Sequence, residues 1–232
     1  MSHRLTSRSI DHVVIERGEV ANSWRQRRAT LRLLTPNAQT RLPGSDAATD
    51  DPDGYMTMPR VADLVRSYAD RIAAPVITGT RVTRVSAIDG NHPAQRYAVT
   101  TDGGAWTCTT IVLAAGSNGI ARMPPIAATL PPRIASMASD TYLHPGRLDE
   151  RGVLVVGASA SGAQIADEIR RSGREVTLAV GEHVRLPRRY RGRDIFWWLD
   201  VSGVLDQRHD EIDDLVRARH VPSPQLVGSP DG

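Results

Sequence analysis

The feature that most constrains the fold of this chain is a glycine- and serine-rich turn between a predicted strand and a predicted helix. The strand covers residues 153–156 (Val-Leu-Val-Val), the turn covers residues 157–162 (Gly-Ala-Ser-Ala-Ser-Gly), and the helix covers residues 163–171. A second apolar strand is predicted at residues 175–180. This order of elements, within about 30 residues, is typical of a dinucleotide-binding unit.

The small residues of the turn have defined roles if a dinucleotide binds there. Gly157 permits the tight turn, Ser159 lets the backbone approach a pyrophosphate, and Gly162 lets the helix pack closely on the strand. Ser161 belongs to the same loop, and the helix that follows offers free N–H groups and a partial positive charge to phosphates. A strand-to-helix turn without a ligand is the alternative, and the strand, helix and second strand around the turn favour the nucleotide.

The residues after the second strand bear on the choice between NAD and NADP. Glu182 leaves NAD open, because an acid at this place binds the ribose 2′-hydroxyl. Arginines favour NADP, because a planar guanidinium binds a 2′-phosphate in bidentate fashion. We predict that Arg185 and Arg188 bind NADP, and the alternative is a solvated basic loop. The same cluster also contains Arg189, Arg191 and Arg193.

A hypothesis from another class also starts from this turn. Gly-x-Ser-x-Gly is the nucleophile elbow of α/β-hydrolases, which would make Ser159 a nucleophile. The final glycine of that motif is replaced by Ser161, and the downstream histidines have no clear triad context. A serine hydrolase is therefore the weakest of the hypotheses.

The composition excludes several kinds of chemistry. All 29 basic residues are arginine, so Schiff-base catalysis and a P-loop lysine are absent. The single cysteine, Cys108, excludes a disulfide framework and a cysteine-based metal site within one chain, and no metal site is predicted. Basic and acidic residues alternate along the chain at a net charge of only +3, so we expect no nucleic-acid partner. No membrane span or secretory signal is evident, and we expect a cytoplasmic protein.

The first part of the chain has a different pattern. Residues 11–16 predict a buried strand that ends in an acid, residues 36–59 predict a loop, and residues 61–72 predict an amphipathic helix. Three short strands, at 81–88, 96–101 and 105–109, predict an antiparallel meander. The apolar run 110–115, closed by Gly116, predicts a further strand buried on both faces. A proline-rich connector follows at 123–145, and a helix is predicted at 210–219.

These motifs together resemble the flavin-containing monooxygenase-like group of FAD/NAD(P)-dependent oxidoreductases. Residues 157–162 are similar to the NADPH loop of that group, in which the second glycine is often serine. Residues 12–17, which end in Glu16 and Arg17, resemble the second strand of the FAD unit. Residues 112–116 resemble a strand end of that unit, with Ala115 in place of threonine.

The resemblance implies two cofactors, FAD and NADP, and a set of residues that contact FAD. Glu16 would hold the adenosine ribose, and the strand backbone at Val82 would meet the adenine. Trp24 and Arg25 lie in a segment that is near the flavin nucleotide in this group. The full set implied for FAD is Glu16, Arg17, Trp24, Arg25, Val82, Ala115 and Gly116.

The chain also departs from the pattern of this group. It opens where the first helix of an FAD unit would be half finished, so the FAD pyrophosphate loop is not among its residues. The identifying sequence expected near residues 137–142 has no histidine at the matching place, which puts monooxygenation in doubt. No residue is predicted to be a catalytic acid, base or nucleophile.

We therefore predict an α/β fold with two incomplete Rossmann-like dinucleotide-binding units and a small antiparallel β-meander. Residues 1–150 would form a partial FAD-binding domain and residues 151–232 a partial NAD(P)H-binding domain. The predicted function is an FAD- and NAD(P)H-dependent oxidoreductase that acts on a small organic molecule, present here as a fragment. A stand-alone NADPH-binding module without catalysis is the alternative, and no partner chain is indicated.

Overall fold

The computed structural model describes residues 1–45, 51–89, 95–116, 121, 123–220 and 224–227. The chain divides into two compact units. Unit 1 comprises Met1–Ala29, Leu42–Asp46 and Met58–Ile120, and unit 2 comprises Thr30–Arg41, Ala47–Thr57 and Ala121–Gly232. These units do not coincide with residues 1–150 and 151–232. A compact unit need not be a cofactor domain, and the assignment of a cofactor to each part of the chain stays a prediction.

Unit 1 combines a short parallel strand pair with an antiparallel meander and one long helix. Its strands are β1 (Val14–Ile15), β2 (Val76–Ile77), β3 (Val82–Ala87), β4 (Tyr97–Thr101) and β5 (Gly104–Cys108). Its helices are α1 (Ser2–Thr6), α2 (Asn22–Arg25) and α3 (Met58–Arg71). β1 pairs in parallel with β2, and β3, β4 and β5 form a three-stranded antiparallel sheet in that order. The predicted meander is confirmed, whereas the strand predicted at 11–16 is reduced to two residues.

Helix α3 follows the amphipathic pattern from which it was predicted. Its buried side chains, Met58, Val61 and Ala62, lie within its first two turns. The helix ends where Ala73 adopts a left-handed backbone with φ of 46° and the Ala74 N–H donates to the Ala69 carbonyl. This is the hydrogen bond of a Schellman ending, and Pro75 follows it because proline cannot continue a helix.

Unit 2 contains the predicted β-turn-α-β unit. Its elements are β6 (Val153–Val156), α4 (Ala160–Arg171) and β7 (Val176–Ala179), and β6 pairs in parallel with β7. The apolar side chains of α4 pack with Tyr142 and with partly buried residues of both strands. This core contains Tyr142, Ile165, Ile169, Leu148, Val153, Val155 and Val176. The three predicted elements are therefore present, with the helix starting three residues earlier than predicted.

Strand β6 differs from its prediction in burial. The continuous apolar run predicts a strand buried throughout, but only Val153 and Val155 pack on the core of α4. Leu154 and Val156 point away from that core and are exposed. Side chains alternate between the two faces of a strand, so one helix can cover only every second residue.

The remainder of unit 2 surrounds a short hairpin. Its strands are β8 (Val184–Pro187), β9 (Arg189–Tyr190), β10 (Arg193–Asp194) and β11 (Pro224–Val227), and its helices are α5 (Ile195–Val201) and α6 (Leu215–His220). β9 and β10 pair antiparallel, and β8 pairs in parallel with β11. The helix predicted at 210–219 is thus shortened to α6. Within the described residues, no helix has the length and apolar character needed to cross a membrane.

The strand predicted at 110–115 is not observed. Residues 110–116 have no regular secondary structure. Val112 is exposed, and Leu113 is 82% exposed. An apolar run supplies the side chains of a buried strand, but a strand also needs a neighbour for its backbone N–H and C=O groups. None of the described strands pairs with this segment.

The centre of the α4 core should dominate the stability of unit 2. Ile169 is fully buried, so Ile169→Ala leaves a cavity and is expected to lower the free energy of unfolding by about 2–5 kcal/mol. Ile126→Ala is the matched control, because Ile126 is 72% exposed and its truncation should change stability by less than about 0.5 kcal/mol. Urea denaturation followed by circular dichroism measures both, and equal effects would contradict this description of the core.

Candidate nucleotide-binding sites

The turn between β6 and α4 is built on a close backbone approach. Gly157 has φ of 96°, a backbone conformation that side chains rarely adopt, and its N–H donates to the Ala179 carbonyl at the end of β7. A Cβ atom on Gly162 would lie 1.8 Å from the Gly157 carbonyl oxygen. No rotation of a side chain relieves an overlap with backbone. Glycine at 162 is therefore required for the packing of the helix on the strand, as the sequence predicts.

The N-terminus of α4 has no side-chain cap. The first four N–H groups of a helix have no partner inside the helix and carry a partial positive charge. Ser159 is the N-cap residue, but its side chain makes no capping hydrogen bond. Ser159 and Ser161 are both exposed. Small side chains, uncapped N–H groups and a tight glycine turn together fit the pyrophosphate of a dinucleotide.

The conformation of Ser159 argues against a nucleophile elbow. Its φ and ψ are −72° and 178°, an extended backbone that any residue adopts. The serine of an elbow lies on a strained turn that projects its hydroxyl from the sheet. The hydrolase hypothesis thus loses the one geometric feature that could have supported it.

The predicted arginine cluster forms a hairpin. β9 and β10 are joined by the two-residue loop Arg191–Gly192, with Arg193 paired to Tyr190. Arg191 and Gly192 have φ of 48° and 74°, and a type I′ turn requires positive φ at both positions. The hairpin arginines Arg189, Arg191 and Arg193 are exposed, as is Arg185 on β8. In the described part of the chain, no carboxylate forms an ion pair with these four arginines.

Arg188 has a different environment from its neighbours. It is 4% exposed, and its Nε donates to the Asp194 carboxylate at 2.7 Å and to the Tyr55 hydroxyl at 3.1 Å. Its Nη2 donates to the Leu34 carbonyl at 2.5 Å, and its guanidinium lies 4.3 Å from the centre of the Tyr55 ring. We call Tyr55, Arg188 and Asp194 the buried cluster. The prediction that Arg188 binds NADP is corrected accordingly, because its guanidinium is buried and engaged by its own chain.

Asp194 is the acceptor on which the buried cluster converges. One carboxylate oxygen accepts from Arg188 and from the Tyr55 hydroxyl, and the other accepts from the Phe196 N–H at 2.8 Å. The last bond caps α5. Sequence analysis missed Tyr55 and Asp194. The one local signal was an aspartate directly before an apolar helical run, which is an N-cap pattern.

The tyrosine of this cluster titrates above its ordinary range. Burial raises the pKa of Tyr55, because the ionised phenolate loses hydration. The hydrogen bond to the Asp194 carboxylate raises the pKa further, and the neighbouring Arg188 opposes both effects. Tyr55 is therefore a neutral donor at physiological pH.

A second polar feature of unit 2 was predicted only as loop. Asn37 is buried, and its Nδ2 donates to the Asp51 carbonyl at 2.8 Å. The Asn37 Oδ1 and both polar atoms of the Gln39 amide are buried and have no partner among the described residues. Buried polar atoms are normally satisfied, so a water or a polar ligand atom is expected beside them.

Unit 1 brings together two of the residues predicted to bind FAD. Glu16 follows β1, and its backbone carbonyl accepts from the Thr80 N–H, two residues before Val82 begins β3. The Glu16 carboxylate accepts from the Gly18 N–H at 2.9 Å, which fixes the loop after the strand. An acid at the carboxyl end of a parallel strand is the arrangement that holds an adenosine ribose. Arg17, next to it, is exposed.

The other residues predicted to bind FAD are less closely joined. Trp24 lies on α2 under the Arg27 guanidinium, and Arg25 forms an exposed ion pair with Asp63 at 3.8 Å. Ala115 and Gly116 lie in the irregular segment that follows the meander, where Gly116 has φ of 74°. Within the described residues, no hydrogen bond joins that segment to Glu16.

The fold and the order of the two nucleotide-binding motifs are those of the flavin-containing monooxygenase-like family of FAD/NAD(P) oxidoreductases. Residues 1–193 match the model of one protein family, described as pyridine nucleotide-disulphide oxidoreductase. The chain belongs to this family.

Comparison with individual proteins gives the same result. The chain is 35% identical over 195 residues to an uncharacterized oxidoreductase, CzcO-like, of Geobacillus kaustophilus, with 84% of this chain and 54% of the relative aligned. A flavin-containing monooxygenase from Stenotrophomonas maltophilia superposes with a TM-score of 0.67 at 25% identity, over 96% of this chain and 65% of that one. OTEMO in complex with FAD and NADP superposes with a TM-score of 0.53 at 18% identity, over 88% of this chain and 41% of that one. The chain spans about half the length of the curated relatives it matches.

The glycine approach gives a direct prediction. Gly162→Ala places a methyl group against the Gly157 carbonyl, so α4 must shift or the turn must open. We expect a lower melting temperature and at least a tenfold loss of NADPH affinity, about 1.4 kcal/mol of binding free energy. The control is Gly103→Ala, where a Cβ meets nothing within 4 Å. Calorimetric titration with NADPH measures the effect, and unchanged binding by Gly162→Ala would contradict it.

The raised pKa of Tyr55 gives a prediction at alkaline pH. The unfolded chain ionises its tyrosines near the ordinary pKa of about 10, whereas folded Tyr55 keeps its proton to higher pH. The folded state then binds more protons than the unfolded state, so its stability falls as the pH rises above about 10. Tyr55→Phe should reduce this slope while keeping the ring over Arg188. Urea midpoints between pH 8 and 11 measure it, and identical slopes would refute the assignment.

Proposed function

We propose that this chain binds FAD through unit 1 and NADPH through unit 2, and serves an oxidoreductase that acts on a small organic molecule. The observation that carries the proposal is the turn of residues 157–162, where a Cβ on Gly162 would strike the Gly157 carbonyl and the helix N-terminus is uncapped. That geometry fits a pyrophosphate. When bound, the two cofactors would supply the chemistry of hydride transfer. The role of the chain is to bind and orient the two cofactors.

The NADPH proposal assigns roles to exposed groups. The uncapped N–H groups at the start of α4 would donate to the pyrophosphate, with Gly157, Ser159, Ser161 and Gly162 keeping the space open. Arg185 is exposed on β8, the strand that follows β7, and it would bind the 2′-phosphate. Arg188 is not carried into the proposal, because it is engaged in the buried cluster.

The FAD proposal depends on Glu16 and its neighbours. The Glu16 carboxylate would accept from the adenosine ribose while the Gly18 N–H holds it in place, and the start of β3 at Val82 would lie near the adenine. Arg17, Trp24, Arg25, Ala115 and Gly116 are proposed as further contacts. The two-cofactor function remains open to one alternative, a module that binds NADPH alone. That alternative is favoured by the irregular backbone of residues 110–116.

The first experiment is a flavin-retention assay. The full 232-residue chain is purified in excess FAD, desalted, and examined by visible absorbance before and after denaturation. We expect a bound flavin band, reduced by NADPH faster than by NADH. A folded but colourless protein that still binds NADPH would refute the FAD part and support the module, and a folded protein that binds neither cofactor would refute the proposal.

Single substitutions test the two sites separately. Glu16→Gln removes the carboxylate charge that would accept hydrogen bonds from the ribose hydroxyls. It should weaken FAD binding about tenfold, or by about 1.4 kcal/mol. Glu19→Gln is the control, because Glu19 is exposed. Arg185→Ala should weaken NADPH by a similar factor and leave NADH unchanged, with exposed Arg217→Ala as its control. Equal losses for NADPH and NADH in Arg185→Ala would contradict a role at the 2′-phosphate.

A further inference from the structure

We propose that the buried cluster of Tyr55, Arg188 and Asp194 is a positioning device. It would hold the arginine hairpin of residues 189–194 in place, so that Arg191 and Arg193 recognise a phosphate monoester on the bound nucleotide. The inference rests on the proposed NADPH site and extends it. It assigns the phosphate contact to residues whose backbone is fixed by an interaction in the interior.

The buried cluster fixes both ends of the hairpin. Arg188 directly precedes β9 and Asp194 is the last residue of β10, so their 2.7 Å ion pair closes the base of the hairpin. Asp194 also pairs with Arg189 across the two strands, and the Ile195 N–H donates to the Arg188 carbonyl at 2.9 Å. The hairpin therefore cannot tilt without separating a buried arginine from a buried carboxylate, which is a costly change.

Tyr55 and Arg188 connect the hairpin to two other segments of unit 2. Its hydroxyl donates to Asp194, and its ring lies under the Arg188 guanidinium. Arg188 also donates to the Leu34 carbonyl, and the Leu33 N–H donates to the Met56 carbonyl one residue beyond Tyr55. Three stretches that are distant in sequence meet at one guanidinium. This cross-linking gives the hairpin a rigid base.

Two exposed arginines, Arg191 and Arg193, lie on the hairpin beyond this base. Arg191 occupies a left-handed position that suits glycine or asparagine, and a guanidinium-bearing residue there is strained. Strained positions persist when the surrounding structure fixes them, and they occur preferentially at functional sites. The Arg191 guanidinium lies 5.3 Å from the Tyr190 ring, and the Arg193 guanidinium lies 5.4 Å from the Trp197 ring. Aromatic contacts orient an arginine but leave its N–H groups available.

The aromatic residues behind the hairpin are themselves fixed. Trp198 donates from Nε1 to the Tyr190 carbonyl at 2.9 Å, and the two rings stack edge to face at 5.7 Å. Both tryptophans belong to α5, which is capped by Asp194. A single carboxylate thus fixes the base of the hairpin and the helix that supports its arginines.

Among the residues that the structure describes, no carboxylate forms an ion pair with Arg191 or Arg193, and two such oriented guanidiniums suit a phosphate dianion. Arginine binds phosphate in bidentate fashion, and pre-orientation reduces the conformational entropy lost on binding. Because the loop of residues 157–162 would hold the pyrophosphate, the hairpin arginines are assigned, together with Arg185, to the additional monoester of NADPH. Free phosphate shares this chemistry, so the test distinguishes the two sources.

The experiment measures binding of 2′,5′-ADP, 5′-AMP and inorganic phosphate to the full chain by calorimetric titration. The 2′,5′-ADP probe carries the monoester and 5′-AMP lacks it, so the ratio of their affinities isolates the contact. We expect 2′,5′-ADP to bind at least tenfold more tightly than 5′-AMP, and inorganic phosphate to bind more weakly than either. Arg191→Ala and Arg193→Ala should each lower this ratio about tenfold, whereas Arg217→Ala should leave it unchanged.

The positioning role is tested by conservative variants of the cluster. Asp194→Asn keeps the shape and the helix cap but removes the charge, and Tyr55→Phe keeps the ring and removes the hydroxyl. Both should lower the affinity ratio at least threefold while 5′-AMP affinity stays within twofold, and Tyr55→Phe should lower it less than Asp194→Asn. Thermal melts and 5′-AMP binding report whether each variant is folded.

The outcomes separate this inference from the proposed function. If the variants of the cluster lower the melting temperature but leave the ratio unchanged, the cluster is merely structural and the inference is overturned. If the wild-type chain prefers 2′,5′-ADP but Arg191→Ala and Arg193→Ala do not change the ratio, the NADPH proposal survives and the hairpin assignment fails. If inorganic phosphate binds as tightly as 2′,5′-ADP, the site is for free phosphate and the inference is again overturned. A folded wild-type chain that binds no nucleotide overturns both.

Discussion

The ion pair of Arg188 and Asp194 joins several segments of unit 2 that are distant in sequence. Charged groups are buried only when their partners remain in place, and here both residues are less than one-tenth exposed. Hydrogen bonds with these two residues fix the positions of the Tyr55 hydroxyl, the Leu34 carbonyl and the first turn of α5. Several segments of unit 2 are thus joined through one guanidinium and one carboxylate. The hydrophobic core around α4 and this polar cluster are complementary, since the first holds the helix on the strands and the second organises the residues after them.

The close approach at Gly162 has a different physical basis, because it depends on the absence of a side chain and not on paired charges. Placing the Gly157 carbonyl where a Cβ would otherwise lie brings α4 onto β6, and the first turn of α4 has no side-chain cap from Ser159. The two features have separate physical origins, and either can fail without the other.

Local sequence predicted the parts of this structure whose causes are local. The strand, turn and helix of residues 153–171 follow from periodicity and from glycine at two positions, and the meander follows from short strands separated by turns. The role of Arg188 could not be predicted, because Tyr55 lies 133 residues away and nothing in the spacing marks it as a partner. Pattern analysis placed Arg188 with its exposed neighbours, although Arg188 lies between β8 and β9 and is buried. The run at 110–115 failed for the converse reason, since its apolar residues are suitable for a strand but the described structure offers it no strand to pair with.

In the candidate site, too, residues with local roles could be predicted and residues with distant contacts could not. Gly157 and Gly162 were identified from chemistry that a short motif contains, and the fold family followed from the order of several such motifs. Asn37 and Gln39 were assigned to a loop, because unpaired amide atoms become informative only when burial is known. Residues that matter through distant contacts thus leave little trace in a single sequence, unless a local role such as the helix cap of Asp194 exposes one of them.

The left-handed backbone of Arg191 has a consequence for how this chain would change under selection. Glycine adopts that conformation at no steric cost, so Arg191→Gly relieves strain on the order of 1 kcal/mol and is one of the simplest stabilising substitutions available at the tip of the hairpin. A laboratory selection for heat resistance alone would favour it and would discard a guanidinium in the process. Persistence of arginine at this position across natural variants would therefore be evidence of a constraint other than stability, and the degree of that persistence is a quantity that sequence surveys can measure.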